Sequence, residues 1–533
     1  MNNTRQYNLL HEPWIECHMK DDAVCHFGLL EFNSCINEIS YVQIPLIAGS
    51  NFPLYELAFW RFIHVLYSRA LSVEEDRDCT EGFTQEEIKS VAEYLQEWEH
   101  KFNLMDDEYP FMQCTSKDRE QANIIAIPDE KSFVTSFVHL PSENAINTKN
   151  LLGYDFRSTG IVVDFSTEKT KDVIAKLASH YSLSPREAVY HLLYLHSFTK
   201  CAGVAGCSSI SQAPDLYILL QGPTAGQSVK MNLIPNKKKE IPIWEKDGIF
   251  SYYNRNLASQ KVNSLEYTLY PSRFCLFEWD ENGRTSRLLH APHDFTVNNV
   301  SSKQICKEDA AIFYKKYDRD ALIDHKGMEE AEEGVERNFS IKYNKIENWL
   351  TMLMSVLIND NSALHSNIAP RAVKEIINED LEIPDDIKIV MYGRKTEAKQ
   401  GTYYYIEKIE ENIRSEVLRS DIARLYLSKY IKHIRAQFRT SLLVVNKFYK
   451  LRDEQNAHQE NKVPFITQCI STYAHKRLQD VYLALREEEQ LEEKMKSIFT
   501  DISLYAKNTL LSMLSEDVLA AARAYNLIVG GKK

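Results

Sequence analysis

Residues 422–452, IARLYLSKYIKHIRAQFRTSLLVVNKFYKLR, hold eight Lys or Arg and no Asp or Glu, in a chain whose formal net charge is −12. At a helical 100° per residue, Arg424, Lys432, Arg435, Arg439 and Lys450 fall within about 80°, with Lys429 and Lys447 close beside them. The other side gathers Tyr426, Leu427, Ile431, Ile434, Phe438, Val444, Val445, Phe448 and Tyr449. The pattern requires one long amphipathic helix, its apolar side packed on partners and its basic side facing an anion. A merely solvated face usually mixes both signs, because Glu or Asp at i,i+4 stabilises it. A face of one sign attracts phosphate. A solvated face on an ordinary bundle helix is the bland alternative.

At 533 residues the chain has room for two or three domains and an ample core. Its 44% hydrophobic and 26% charged content is that of a soluble globular protein. The acidic balance argues against a stand-alone nucleic-acid binder, but allows a local basic surface within a larger assembly. No apolar run reaches 18 residues. The most hydrophobic stretch, 54–71, is broken by Glu56, Arg61, His64 and Arg69, which predicts a buried helix and no membrane span. The first ten residues, MNNTRQYNLL, lack a signal-peptide core. Ten Cys without a C-x-x-C pair predict reduced thiols in the cytoplasm, with neither a disulfide framework nor a zinc ribbon.

In chain order, YNLLHEPWIEC (7–17) is expected to open as a strand, Pro13 barring a helix. Residues 28–35 begin a further short unit. Helices are expected at 54–71, 85–102 and 183–200, the last with Ser184 as N-cap, Pro185 in the first turn and Glu187 three after the cap. Pro110 stops the second helix, and Phe111 and Met112 turn back toward the core. Residues 141–150 are a polar loop. The small-residue run CAGVAGCSS (201–209) precedes strand-like LYILLQGPT, and Lys237–Lys239 form a small basic cluster. Short strand signals mark 265–279; 324–337 is an acidic, solvated insertion; a helix follows at 346–357. Residues 387–392 form a strand leading into the charged loop GRKTEAKQG (393–401). Thereafter the pattern is helical: 402–452 with a break near Ser420, then 464–487, 489–509 and 513–528. The expected fold class is α+β, a large irregular mixed domain over 1–401 followed by a C-terminal four-helix bundle over 402–533.

The chemistry-bearing residues are sparse. His290, His293 and Asp294 form the densest ligand cluster, in a Pro-containing stretch expected as a loop, and would serve a metal-dependent phosphohydrolase if they held an ion. His191 and His196 stand five apart without the glutamate of a zincin. Nucleophile-elbow, phosphate-loop and dinucleotide signatures are absent, so nothing positive indicates an enzyme or a cofactor. Gly203 and Gly206 lie among small residues that allow close approach to another backbone or to a groove, or simply end a helix. Lys315 and Lys316 follow aromatic Phe313 and Tyr314.

Taken together these stretches resemble one family: CasA, the large subunit of the type I-E CRISPR surveillance complex Cascade. YNLLHEPWIEC is similar to the family's opening F-N-L-L-x-x-P-W-I-P-V, with Glu16 where proline is usual. YPFMQ (109–113) resembles its P-F-x-Q. The run 201–209 with LYILLQGPTAGQSVKMNLIP resembles its glycine loop and the segment behind it, and the basic amphipathic helix resembles the start of its end domain. The likeness covers nearly the whole chain in the same order, with a divergent, longer middle.

The resemblance implies a non-enzymatic DNA-recognition subunit. It would read a protospacer-adjacent motif from the minor groove, help open the duplex for the guide RNA and recruit a helicase–nuclease. Carried onto this sequence, Gly203, Gly206, Ser208 and Ser209 would face the motif, with Lys315 or Lys316 as the lysine finger. Gln400 beside Lys399 would be the wedge, although the family's Gln usually precedes an Ala-Lys pair and here Ala398-Lys399 comes first. Asn144, Asn147 and Asn150 would lie in the loop near the RNA handle. Arg424, Lys429, Lys432, Arg435 and Arg439 would follow a DNA backbone. The implied partners are the other Cascade subunits, guide RNA, duplex target DNA and the helicase–nuclease, with no membrane; a helical scaffold protein is the remaining alternative.

Overall fold

The computed structural model describes residues 6–47, 53–71, 73, 77–116, 157–160, 182–198, 216–235, 240–246, 265, 268–269, 273–292, 314–316, 338–340, 367–368, 373, 376, 381–396, 403–452, 459–487 and 490–530. The chain divides into two compact units, Met1–Lys342 with Pro370–Asn412, and Tyr343–Ala369 with Ile413–Lys533.

The first unit opens with a turn where a strand was expected. Asn8 Oδ1 accepts from the Leu10 amide at 2.9 Å, and the Asn8 carbonyl accepts from the amides of His11 and Glu12. An Asn side chain competing for local amides in this way displaces extended backbone, so strand β1 begins only at Ile15–Met19. It lies between β2 (Val24–Phe27) and β3 (Ile39–Gln43), antiparallel to both. Residues 28–35, between β2 and β3, wind into the short helix α1 (Leu29–Ser34). Gly28 permits it: a Cβ there would lie 2.4 Å from the Leu10 carbonyl oxygen. Trp14 is fully buried and packs edge-on against Phe59 and Tyr190, its indole N–H donating to the Leu9 carbonyl.

Helix α2 (Pro53–Leu71) is buried without interruption from Leu54 to Ser68. Its charged groups therefore need protein partners. Glu56 pairs with Lys408 at 2.8 Å. Arg61 donates twice to the Thr268 carbonyl and lies over the Tyr217 ring. No described helix is long and apolar enough to cross a membrane.

After β4 (Arg77–Asp78), helix α3 (Gln85–Glu97) starts at a capping box between Thr84 and Glu87, and a 3-10 turn at Glu99–Lys101 ends it earlier than the expected residue 102. Phe102 and Phe111 stack at 5.4 Å, and both lie against Trp244 or Phe62. Gln113 is buried: its amide N–H donates to the Leu104 carbonyl and its oxygen accepts from the Phe277 amide, each at 2.8 Å. The YPFMQ stretch thus plugs the core and ties it to a later strand.

Strand β5 (Arg157–Gly160) precedes α4 (Pro185–Phe198), where Ser184 and Glu187 exchange the expected capping bonds. Strand β6 (Leu216–Gln221) leads through a Thr224–Gln227 capping box into α5 (Ala225–Met231). Strands β7 (Arg273–Trp279) and β8 (Thr285–Pro292) form a hairpin turning at Gly283, φ +71°, and β8 also pairs with β5. His290-Ala-Pro is therefore the end of a strand and not part of a loop, because pairing with β7 holds all three residues extended and β5 pairs with His290 from the other side. Short strands β9 (Tyr314–Lys316) and β10 (Asn338–Ser340) pair antiparallel. Strand β11 (Leu381–Glu382) joins β4, and β12 (Asp386–Thr396) lies between β6 and β13 (Tyr403–Arg414). The expected helix from 402 is corrected here: YYYIEKIEENIR carries tyrosines and isoleucines that suit a pleated surface, and pairing with β12 outweighs helical periodicity. The stretches 141–150, 324–337 and 346–357 lie outside the described residues.

In the second unit, α6 (Ser415–Arg419) breaks at Ser420, whose hydroxyl caps α7 (Asp421–Leu451) by accepting from the Ala423 amide. Helices α8 (Gln459–Arg486), α9 (Leu491–Met513) and α10 (Val518–Val529) complete the bundle. Val444, Val445, Phe448 and Tyr449 of α7 share one core with Ile466, Ile470, Ala506, Leu510, Ala521 and Ala524. Tyr473 and Tyr505 stack at 4.0 Å between α8 and α9. The whole is the mixed helix-and-strand architecture with a C-terminal helical bundle that the sequence pattern implied.

One buried group makes the first unit's stability pH-dependent. His191, on α4, is fully enclosed, 3.0 Å from the Tyr55 hydroxyl, and burial pushes its pKa down to about 3. The folded state keeps the imidazole neutral while the unfolded chain binds a proton below about pH 6.5. Stability is therefore fully present above that pH and is lost as pH falls from 6.5 toward 3, by ~1.4 kcal/mol per unit. Urea unfolding at pH 7, 6 and 5 should show His191→Gln with a slope shallower than wild type by about one proton.

Candidate nucleic-acid interface

Helix α7 buries Leu427, Tyr430, Ile431, Ile434, Val444, Val445, Phe448 and Tyr449 toward its neighbours. Its solvent side runs through Leu425, Lys429, Lys432, Ala436, Arg439, Leu443 and Lys450, each exposed or half-exposed. From 425 to 443 the steps alternate four and three residues, so these positions form one straight line along the helix. Lys429, Lys432 and Arg439 span about 15 Å of it. After Asp421 no carboxylate occurs on the helix, so the line is cationic along its middle.

The five basic residues expected to share this role are not equivalent. Lys429, Lys432 and Arg439 lie on the solvent side, and the Lys429 ammonium rests 4.3 Å from the centre of the Tyr426 ring. Arg435 is half-buried and engaged with neighbouring groups. Arg424 is half-buried as well: it donates to the Leu418 carbonyl at 2.9 Å and pairs with Asp421. That pairing ties the end of α6 to the first turn of α7. Leu425 and Leu443, 54% and 48% exposed, sit in the same line as the lysines. Their wheel angles, between those of Lys432 and Lys429, were the signal in the sequence that the stripe is interleaved with leucine.

The remaining expected residues belong to the first unit. Lys315 and Lys316 are on β9, opposite Phe339 and Asn338 of β10. Gly203, Gly206, Ser208, Ser209, Lys399, Gln400, Asn144, Asn147, Asn150, His293 and Asp294 lie outside the described residues. What can be located is where two of those segments attach. The run 201–215 leads into Leu216, the first residue of β6, and 397–402 follows Thr396, the last of β12. In the β6–β12 ladder Leu216 is paired with Gly393, so both segments join the sheet at the same end. Nearby on this sheet, Lys408 of β13 lies between Glu56 and Glu410, and Lys388 of β12 reaches Glu410 at 2.9 Å. Burial works against the Glu410 charge, but Lys408 and Lys388 hold its carboxyl below the usual range. His290 is in register with Arg157 and Cys275, and among the described residues no group of three His, Cys, Asp or Glu is arranged to hold a metal ion.

No curated protein matches this chain. Solved structures do. The Cse1 of Thermobifida fusca superposes with a TM-score of 0.70 at 14% identity, covering 98% of this chain and 97% of that one. Thermus thermophilus CasA (Cse1) gives 0.66 at 16% identity and 99% of both chains. A chain of a CRISPR RNA-guided surveillance complex gives 0.64 at 13% identity, again over 99% of both. At such identities these likenesses establish the fold. A sequence model of the CRISPR-associated protein Cse1 family, however, matches residues 8–401, well over half of the chain, and the chain belongs to that family.

Proposed function

We propose that this protein is the non-catalytic DNA-recognition subunit of a type I-E Cascade, reading a short motif beside the target, helping to open the duplex and receiving the helicase–nuclease. The observation that carries the proposal is the family match over residues 8–401, joined to a whole-chain fold likeness with a subunit of an RNA-guided surveillance complex. Guide pairing then supplies long-range sequence specificity, and the protein needs only a brief readout of the adjacent motif.

In this scheme Gly203, Gly206, Ser208 and Ser209 approach the minor groove, which is narrow and favours slim elements. Gln400 with Lys399 enters the duplex from the neighbouring segment. Attachment of both segments at one end of the β6–β12 ladder supports their acting on one short stretch of DNA. Lys315 or Lys316 supplies the cationic contact to the motif, and Asn144, Asn147 and Asn150 meet the RNA handle. The stripe on α7 touches phosphates without reading bases.

The first test is co-purification with the products of neighbouring genes. A stoichiometric assembly containing an RNA of uniform length is expected, and a chain that stays alone and ignores duplex DNA at low salt would refute the proposal. Within that assembly, replacing Lys432 and Arg439 by Glu should weaken binding to all duplexes alike and lower the salt slope by about one for each phosphate no longer neutralised. Arg424→Ala should leave that slope unchanged and instead cost ~1 kcal/mol of bundle stability, because its guanidinium is spent on Asp421 and the Leu418 carbonyl. Lys315→Ala and Lys316→Ala, made singly, should identify the finger: one of them should weaken motif-bearing targets about tenfold or more while leaving motif-free DNA unaffected.

A further inference from the structure

The β2–β1–β3 sheet turns one side into the core and presents an ordered grid on the other. Register places Val24, His18 and Tyr41 side by side across the three strands, and His26, Glu16 and Gln43 in the next row. Val24 is 52% and Tyr41 49% exposed, and Leu46, just past β3, is 59% exposed. Among the described residues of the first unit, only Ile241 joins them as an exposed large hydrophobic. The first row is therefore an apolar and aromatic strip, with the His18 and Tyr41 rings 5.6 Å apart.

The second row is polar and already fixed. Glu16 accepts from Arg186 at 2.7 Å and meets His26 at 3.3 Å, and His18 Nε2 lies 3.0 Å from Gln43 Oε1. Side chains held in place before a partner arrives lose little entropy on binding. Around this grid the charge is acidic. Glu16, Asp21, Asp22 and Glu38, with Glu56 and Glu410 near Tyr41, outnumber the nearby cations Lys20, Arg186 and Lys408, and Lys20 lies 3.5 Å from Glu38 while Lys408 is held by Glu56 and Glu410.

We propose that this sheet face is a protein-docking surface for a subunit of the same RNA-guided assembly, one that offers an apolar side chain to the Val24–His18–Tyr41 row and Lys or Arg at its rim. The proposal rests on the assignment to Cascade made above. An acidic rim repels a phosphate backbone, so the face does not suit nucleic acid. A second copy of this chain would bring the same carboxylates together and is disfavoured on the same ground. An exposed Tyr beside apolar neighbours, inside a polar surround, is the composition of an interface centre.

The test reconstitutes the assembly from its other subunits and guide RNA and titrates in this chain, following incorporation by native mass spectrometry. Tyr41→Asp should weaken incorporation about tenfold or more, and Glu38→Lys, on the exposed rim, should weaken it several-fold, in line with an interface anchor and a rim charge. Thermal unfolding of each variant at the wild-type temperature shows that the sheet is intact. The pair Lys432→Glu and Arg439→Glu should join normally, separating docking from DNA binding. Wild-type chain that fails to join would overturn the assignment to Cascade and the partner with it. Wild-type chain that joins, with folded Tyr41→Asp joining equally well, would overturn the docking face alone. So would a Tyr41-dependent dimer of the free chain, or Tyr41-dependent binding of the guide RNA without other proteins.

Discussion

Helix α2 has no solvent face, and that constraint organises the first unit. Glu56 and Arg61 cannot turn outward, so each must be met by a group from another part of the chain. Lys408 comes from 352 residues away and the Thr268 carbonyl from 207. A buried carboxylate without its cation costs several kcal/mol, which makes the return of β13 to α2 a condition of folding and explains why Pro370–Asn412 belongs with the N-terminal residues. The same strand fastens the sheet from which the 201–215 and 397–402 segments spring. The ladder at whose end those two segments attach is thus tied to a fully buried helix by the Glu56–Lys408 pair.

Elements with a strong local signal were legible. The 53–71 helix, the Ser184–Glu187 cap, the break at Ser420 and the order of the bundle helices follow from periodicity and capping chemistry within a few residues of each site. Expectations that depended on distant partners fared worse. Residues 403–414 place Ile406, Ile409 and Ile413 at helical spacing, and only β12 across the ladder settles the competition. His290 reads as loop because Pro292 follows it, yet pairing with β5 and β7 keeps it extended. Asn8 illustrates the opposite case: a side chain bonding to a nearby amide opens a turn where a strand was expected, and the strand starts only at Ile15.

On the candidate interface, wheel angles gave the solvent side of α7 but not the state of its cations. Arg424 and Lys432 have the same residue-level signal, a basic group on the outward arc. They differ because Asp421 and the end of α6 lie within reach of one and not of the other. Exposure is a tertiary property, and no spacing rule within the helix contains it.

The acidic balance of the chain bears on specificity. A net charge of −12 opposes association with nucleic acid overall, so an anion is best received where cations gather without carboxylates. In the proposed function such a chain would gain from being held beside DNA at high effective concentration. There docking precedes DNA binding, and the two tasks call for opposite surfaces. The exposed line on α7 is cationic and extended, suited to a backbone; the face of the N-terminal sheet is compact, apolar at its centre and acid-rimmed, suited to a basic protein. Under these two proposals, separate elements carry the two chemistries, so that the subunit would join its complex without exposing a general-purpose basic surface, which would limit non-specific DNA binding before a guide has paired.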